Sequence, residues 1–306
     1  MSSIQKWVPR NYHMISRKVN MLYFSKFGET VHNDDGVDIF EADWDNLAIL
    51  DACREDLFES MNTIAGDDYE VRQSRGSATK EFLEANCTHR DLRHTVYVTA
   101  NPVYHHNRER LNAEFHRVIN VWQEDGWDET VKTVLPETVT ERALEAQERY
   151  PNKRLLVHYL QPHYPFIDTS VTFDKQQIHD DGEEDLSFWH DIVDGELDVS
   201  DRELWDLYEK NLERALPHVQ KLVSSVDGKT VVTSDHGNMF GERSFPIPDR
   251  EWGHPEQIHT PELVEIPWLT IKAEQRRHIT VGEPADSSGD DQTAEDRLAA
   301  LGYKVD

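Results

Sequence analysis

Two apolar runs in this chain stop abruptly on charge. Asn46-Leu47-Ala48-Ile49-Leu50 ends at Asp51, and Thr230-Val231-Val232-Thr233-Ser234 ends at Asp235 and His236. Aliphatic and β-branched residues running into an acid read as buried parallel strands, and open α/β sheets carry their ligands at the carboxyl ends of such strands. Two such ends would place three metal-ligating groups, Asp51, Asp235 and His236, in one crevice. Carboxylate oxygen and imidazole nitrogen suit a hard or borderline divalent cation. The chemistry this predicts is metal-dependent ester cleavage or group transfer.

Those strand ends need a sheet to hold them. Residues 46 to 51, 95 to 99, 154 to 160, 229 to 234 and 266 to 271 read as core strands. Helical patterns lie between them, one following Thr79 and another over about 138 to 149. The longest spans about 201 to 226, with Leu204, Leu207, Tyr208, Leu212, Ala215, Leu216, Val219 and Leu222 at three- and four-residue spacing. Pro217 inside it predicts a kink. Strands alternating with helices predict an α/β fold, a mainly parallel central sheet covered on both faces. Residues 101 to 135 and the acidic stretch 174 to 200 read as surface insertions, and 282 to 292 as a polar linker before a short helix over 294 to 303.

Acids outnumber bases 59 to 32, a formal net charge of -27 on 306 residues. Such a surface repels nucleic acid and anionic membranes, so no nucleic-acid partner is expected. It also resembles the acid-rich surfaces of proteins that work in concentrated salt, so a halophilic protein is expected. Cys53 and Cys87 are too few for a disulfide scaffold or a cysteine zinc site and read as reduced thiols. With no apolar stretch approaching ~18 residues and no signal-peptide core after Met1, the expected location is the cytoplasm. Residues 1 to 30 stand apart: Lys6, Arg10, Arg17, Lys18 and Lys26 face only Glu29, interleaved with Trp7, Tyr12, Met14, Met21, Tyr23 and Phe24. This segment either lies peripherally on an anionic membrane or packs as an arm on the acidic body of its own chain, the second reading being preferred.

The order of these pieces resembles the sulfatase-like hydrolase and transferase branch of the alkaline phosphatase superfamily, in a haloarchaeal-type form. The resemblance is carried by Ile49-Leu50-Asp51-Ala52-Cys53-Arg54-Glu55-Asp56, then Ser74-Arg75-Gly76-Ser77-Ala78-Thr79-Lys80-Glu81-Phe82, then His158-Tyr159-Leu160-Gln161-Pro162-His163-Tyr164-Pro165-Phe166. Ser234-Asp235-His236-Gly237, Gly241-Glu242, Gly253-His254, Val264-Glu265-Ile266-Pro267-Trp268-Leu269 and Arg297-Leu298-Ala299-Ala300-Leu301-Gly302-Tyr303 follow. It implies an alkaline-phosphatase-like catalytic domain over 41 to 281, preceded by an arm over 1 to 40 and followed by a linker and packed helix over 282 to 306.

The resemblance implies one divalent cation, with Zn²⁺ or Mn²⁺ favoured over Ca²⁺ or Mg²⁺, on Asp51, Asp235, His236 and the oxygen of a nucleophile. That nucleophile is Thr79, with Ser77 as the alternative; a helix starting there would offer backbone N–H groups to an anionic ester. Sulfatases of this branch make formylglycine from a Cys or Ser in a C/S-x-P-x-R motif, and neither the Pro nor the Arg follows here. Phosphate esters are therefore expected ahead of sulfate esters, with a degenerate binder of anionic glycan or lipid headgroups as the non-enzymatic rival. His163 and His254 are expected to bind the substrate's anionic oxygens or protonate the leaving group, and Arg54 to meet substrate oxygens or bridge to Asp56 or Glu55. His158, His259, His105 and His106 are less specific candidates among 16 histidines.

Overall fold

The computed structural model describes residues 10–27, 32–123, 126–167, 188–193, 197 and 199–284. Along the chain come α1 (Arg10–Phe27), β1 (Asn46–Leu50), α2 (Glu55–Met61), β2 (Asp68–Gln73), α3 (Thr79–Cys87), β3 (Asp91–Thr99) and α4 (Val103–Leu111). Then follow β4 (Glu114–Asn120), β5 (Trp127–Asp128), β6 (Thr133–Val134), α5 (Pro136–Arg149), β7 (Arg154–Tyr159), α6 (Phe188–Val193) and α7 (Asp201–Ser225). The last are β8 (Thr230–Ser234), β9 (Met239–Arg243), β10 (Arg250–Gly253), α8 (Pro261–Val264) and β11 (Glu265–Ile271). Seven strands form the central sheet in the order β2-β11-β8-β1-β7-β3-β4. Only β11 runs against the others, pairing antiparallel with both β2 and β8. This is the expected α/β architecture with a mainly parallel sheet.

The alternation of side chains along each strand explains why both faces are covered. Ala48 and Leu50 of β1, with Leu155 and Val157 of β7, join a core formed with Val139 and Ala143 of α5 and Leu204 to Leu222 of α7. Leu47 and Ile49, with Leu156, Tyr97 and Val231, turn to the opposite core against Phe82 and Leu83 of α3 and Val103 of α4. Every residue of β1 is buried, as expected of a central strand sandwiched between helices. The two thiols lie in different cores, Cys53 on the α7 side and Cys87 on the α3 side, and both are free.

The long helix α7 begins on a capping box, Ser200 accepting from the Glu203 N–H while Glu203 accepts from the Ser200 N–H. It runs on through Pro217 to Ser225. Two expected insertions need correction. Residues 114–120 are β4, an edge strand of the main sheet; its Glu114, His116 and Arg117 mask the strand pattern because one edge faces solvent. Of residues 174–200, the stretch Phe188–Val193 is a helix whose Phe188 and Trp189 are buried, Phe188 stacking on Tyr164 at 4.2 Å. Residues 174–187, the linker beyond 284 and the expected helix over 294–303 lie outside the described residues.

Helix α1 packs on its own chain. His13 and Ser16 reach Asp249, Arg17 reaches Glu251, and Asn20 exchanges two hydrogen bonds with the Ile247 backbone. Met21 and Phe24 lie against a small core of Met239, Ile258, Leu263 and Val264.

The charge of -27 bears on stability at low salt. Self-repulsion weakens the compact state, and the Debye length falls from about 10 Å at 0.1 M salt to about 3 Å at 1 M. We expect the thermal midpoint to climb steeply from dilute buffer to molar KCl in a calorimetric series; a flat profile would remove the halophilic proposal.

Candidate metal centre and active site

The site lies at the carboxyl ends of three neighbouring strands. β1 sits between β8 and β7, with Leu50 in register with Ser234 on one side and Tyr159 on the other. Asp51 and Asp235 are the next residues of their strands, so the register alone sets them side by side. Alternation then decides which way they face. Asp51 shares parity with Leu47 and Ile49, and Asp235 with Val231, so both turn toward the core covered by α3. His158 of β7 shares parity with Leu156 and turns the same way.

Helix α3 starts at Thr79 after an extended Ala78, on that same face. The Thr79 hydroxyl lies 2.8 Å from Asp235 Oδ2, 3.2 Å from His236 Nε2 and 3.5 Å from Asp51 Oδ1. His236 Nε2 is 3.6 Å from Asp51 Oδ1 and 3.5 Å from Asp235 Oδ2. Asp51, Thr79, Asp235 and His236 are all inaccessible to solvent. These four predicted residues therefore converge, although they come from distant parts of the chain.

The surroundings fix each group's orientation. His236 Nδ1 is 2.7 Å from the Gly237 carbonyl, so Nδ1–H donates there and the Nε2 lone pair points at Thr79. Gly237 also donates to the Leu263 carbonyl at 2.8 Å, and a Cβ on it would come within 2.1 Å of the Glu262 carbonyl oxygen. Only glycine lets the chain pass there. Asp235 Oδ1 accepts from the backbone N–H of Ala52 at 3.0 Å and of His236 at 2.9 Å. Burial pushes the Asp235 pKa up, but the neighbouring His236 and His158 imidazoles and the Ala52 N–H outweigh it and keep the group ionised. Ala52 itself has φ of +55°, a left-handed conformation uncommon for a residue with a Cβ, held by these contacts and by the Tyr208 hydroxyl donating to its carbonyl.

Two residues beyond the principal candidates join the cluster. Asn101, two residues past the end of β3, donates to Asp51 Oδ2 at 2.6 Å. His158 bonds the Tyr97 hydroxyl through Nδ1 at 2.9 Å, while its Nε2 faces Asp235 Oδ2 at 3.5 Å and Asp51 Oδ2 at 3.9 Å. That buried Nε2 has no hydrogen-bond partner. Ligand atoms of Asp51, His158 and Asp235 lie within 4.8 Å of one another. Two buried carboxylates with a hydroxyl and two imidazole nitrogens turned on them form a donor set that fits a divalent cation.

His163 and His254 stand beside this cluster. Their Nε2 atoms are 2.8 Å apart, and the His254 ring centroid is 4.7 Å from that of His236. His163 Nδ1 faces the Tyr164 carbonyl, so its Nε2 accepts and His254 Nε2–H donates. Burial pushes the His254 pKa well below its ordinary value, and the neighbouring His236 and His163 imidazoles act in the same direction. Gly253, at φ +76°, delivers His254 from β10; a Cβ there would meet the Trp189 ring at 2.6 Å.

Ser77 and Arg54 are placed differently. The Ser77 hydroxyl bonds Glu81 Oε2 at 2.8 Å and the Pro255 carbonyl at 2.9 Å, and none of its hydrogen bonds goes to Asp51, Asp235 or His236. The Arg54 guanidinium is held by Asp56 and Glu242 and lies over the Trp205 ring.

Glu81 is the hub that secures the start of α3. Its carboxylate accepts from the Ser77 N–H and hydroxyl, from the Gln257 N–H at 3.1 Å and from His259 Nε2 at 2.7 Å. Burial raises the Glu81 pKa, but the His259 bond and charge and the two backbone N–H groups bring it below the ordinary value. A depressed carboxylate contributes stability that is whole above the unfolded pKa of about 4.3 and is lost as pH falls through the folded value. Glu81→Gln should therefore lower the thermal midpoint near neutrality and show a shallower decline below about pH 5. Parallel wild-type and variant curves in a melting series across that range would contradict this role.

No protein-family model matches the chain, and no curated protein does. Among solved structures, it is similar to the C-terminal periplasmic domain of EcEptC from Escherichia coli in complex with Zn, at 14% identity and a TM-score of 0.44, covering 75% of this chain and 72% of that one. It is similar to the integral membrane lipooligosaccharide phosphoethanolamine transferase A (EptA) of Neisseria meningitidis, at 12% identity and a TM-score of 0.49, covering 75% of this chain and 47% of that one. A protein in the alkaline phosphatase superfamily from Vibrio parahaemolyticus matches at 12% identity and a TM-score of 0.39, over 94% of this chain and 75% of that one. At these scores the likenesses carry no functional weight.

Proposed function

We propose that this chain is a metal-dependent phosphate-ester hydrolase or transferase of alkaline-phosphatase type, with Thr79 as its nucleophile. One observation carries the reading: a buried hydroxyl at the first turn of a helix, in hydrogen-bond reach of an ionised carboxylate and an imidazole lone pair. Asp51, Asp235, His236 and the Thr79 oxygen would hold the cation, with His158 behind them and Zn²⁺ or Mn²⁺ favoured by the imidazole. Such an ion, when bound, lowers the pKa of a ligated hydroxyl and neutralises charge on an ester oxygen.

The chain's own groups account for the remaining steps. Asp235 Oδ2 accepts the hydrogen bond that aims the Thr79 oxygen, and its own bonds to the Ala52 and His236 N–H groups keep it fixed. The first N–H groups of α3 point at the position an anionic ester would take. The hydrogen-bonded His163–His254 pair, beside His236, would bind the anionic oxygens of the ester.

Aryl phosphate, aryl phosphodiester and aryl sulfate substrates, tried in molar KCl with Zn²⁺, Mn²⁺, Ca²⁺ or Mg²⁺, test the reading. Turnover of a phosphate ester that depends on added cation is expected. Cation binding without turnover of any ester would favour a binder of anionic headgroups instead.

A further inference from the structure

Helix α1 has two faces that do different work. Ser16, Asn20 and Met21 face the body, while Tyr12, Ile15, Val19 and Leu22, spaced three and four residues apart, form one stripe on the outside. Leu22 is 56% and Ile15 60% exposed, and Met14 and Lys18 border the stripe. Five of the nine large apolar side chains most exposed among the described residues sit on this one helix; a sixth, Phe245, touches its Tyr23 at a ring-centroid distance of 5.0 Å. Singly exposed apolar residues are ordinary, but a contiguous stripe marks a surface that meets something.

Charge says what it meets. Besides Arg17, which pairs with Glu251 on the inner face, residues 10–27 hold Arg10, Lys18 and Lys26 and not one acid, on a chain whose net charge is -27. A second copy docked face to face would press two basic helices together. An anionic bilayer would instead gain both apolar burial and attraction to the lysines. Repulsion from the acidic body is felt only over about a Debye length, ~8 Å at physiological ionic strength, so the helix that touches the surface dominates. Its 18 residues span about 27 Å, and no helix among the described residues is long and apolar enough to cross a membrane. We infer that α1 is an interfacial helix that seats this protein on an anionic lipid surface.

The seat is close to the candidate site. The inner face of α1 is anchored on Glu251, in the strand that delivers His254, and on Asp249 just before that strand. Phe24 lies 5.7 Å from the ring of His259, whose partner Glu81 secures the start of α3. A seated α1 therefore turns the side of the molecule that carries β10 and the start of α3 toward the lipid surface.

Flotation of the full chain tests this with vesicles of equal parts phosphatidylglycerol and phosphatidylcholine, and of phosphatidylcholine alone, in low and molar KCl. Wild type should float with the anionic vesicles and much less with the neutral ones. I15E/L22E, altered only at exposed positions, should lose about tenfold in bound fraction while keeping its melting midpoint, whereas V71E on the outer strand β2 should float like wild type. Hydrolysis of a soluble aryl phosphate should be the same in I15E/L22E and wild type, which separates failure here from failure of the catalytic reading. In L22W, the indole should be quenched by brominated lipid. Flotation unaffected by I15E/L22E, no quenching, indifference to anionic lipid, or a solution dimer that the double variant dissociates would each overturn the inference.

Discussion

Thr79→Ala should reduce phosphate-ester turnover by ~10³-fold or more, while Ser77→Ala should cost far less. The asymmetry follows from partners. The Thr79 hydroxyl sits among Asp51, Asp235 and His236, so its loss removes the attacking atom. The Ser77 hydroxyl is tied to Glu81 and Pro255, so its loss slackens the approach to α3 without touching the carboxylates. Thr79→Ser should retain measurable turnover, because the oxygen survives and only a methyl is lost. Burst-phase and steady-state kinetics on one aryl phosphate compare all three. An inactive Ser77→Ala beside an active Thr79→Ala would transfer the nucleophile's role to Ser77. If both alanine variants matched wild type, the covalent mechanism would be abandoned.

Cation binding should raise the melting midpoint of wild type and leave Asp235→Asn unmoved. At a hundredfold excess over Kd, a ligand that binds only the folded state adds about 2.7 kcal/mol, roughly 5 °C or more for a domain of this size. Asp235→Asn keeps an oxygen for the Ala52 and His236 N–H groups but removes the charge beside Thr79 and His236. The variant should fold, yet neither bind Zn²⁺ by calorimetry nor turn over substrate. Equal Zn²⁺ affinity in the two proteins would show that the ion sits elsewhere.

Much of this arrangement is legible from residue order. Asp51 and Asp235 stand out because an acid at the end of a fully buried strand is costly unless something pairs with its charge, and the pairing of β1 with β8 brings the two acids together. Thr79 is legible only by resemblance, since a threonine at a helix start is otherwise an ordinary cap. His158 is obscured among 16 histidines, although its parity with Leu156 in β7 points it at the same face as Asp51. Asn101 falls inside a stretch that reads as an insertion, yet it follows the end of β3 much as Asp51 follows β1. Edge strands are the weakest point. β2 exposes nearly every residue and β4 carries charge on its outward side, so neither shows the apolar run of a central strand.

The position of β1 has a consequence for how the chain is made. This strand leaves the ribosome early, yet its neighbours are β7, ending at Tyr159, and β8, ending at Ser234. Until the second arrives, the most apolar strand of the protein has an open edge, the state in which nascent chains aggregate or recruit chaperones. Pairings this distant also slow folding, because a long loop must close before any contact rewards it. A chain stalled before residue 234 holds Asp51 and Thr79 but has nothing to set beside them. Assembly of the cluster therefore waits on β8, and chains stopped before it should be recognisable by exposed β1 rather than by a partly built site.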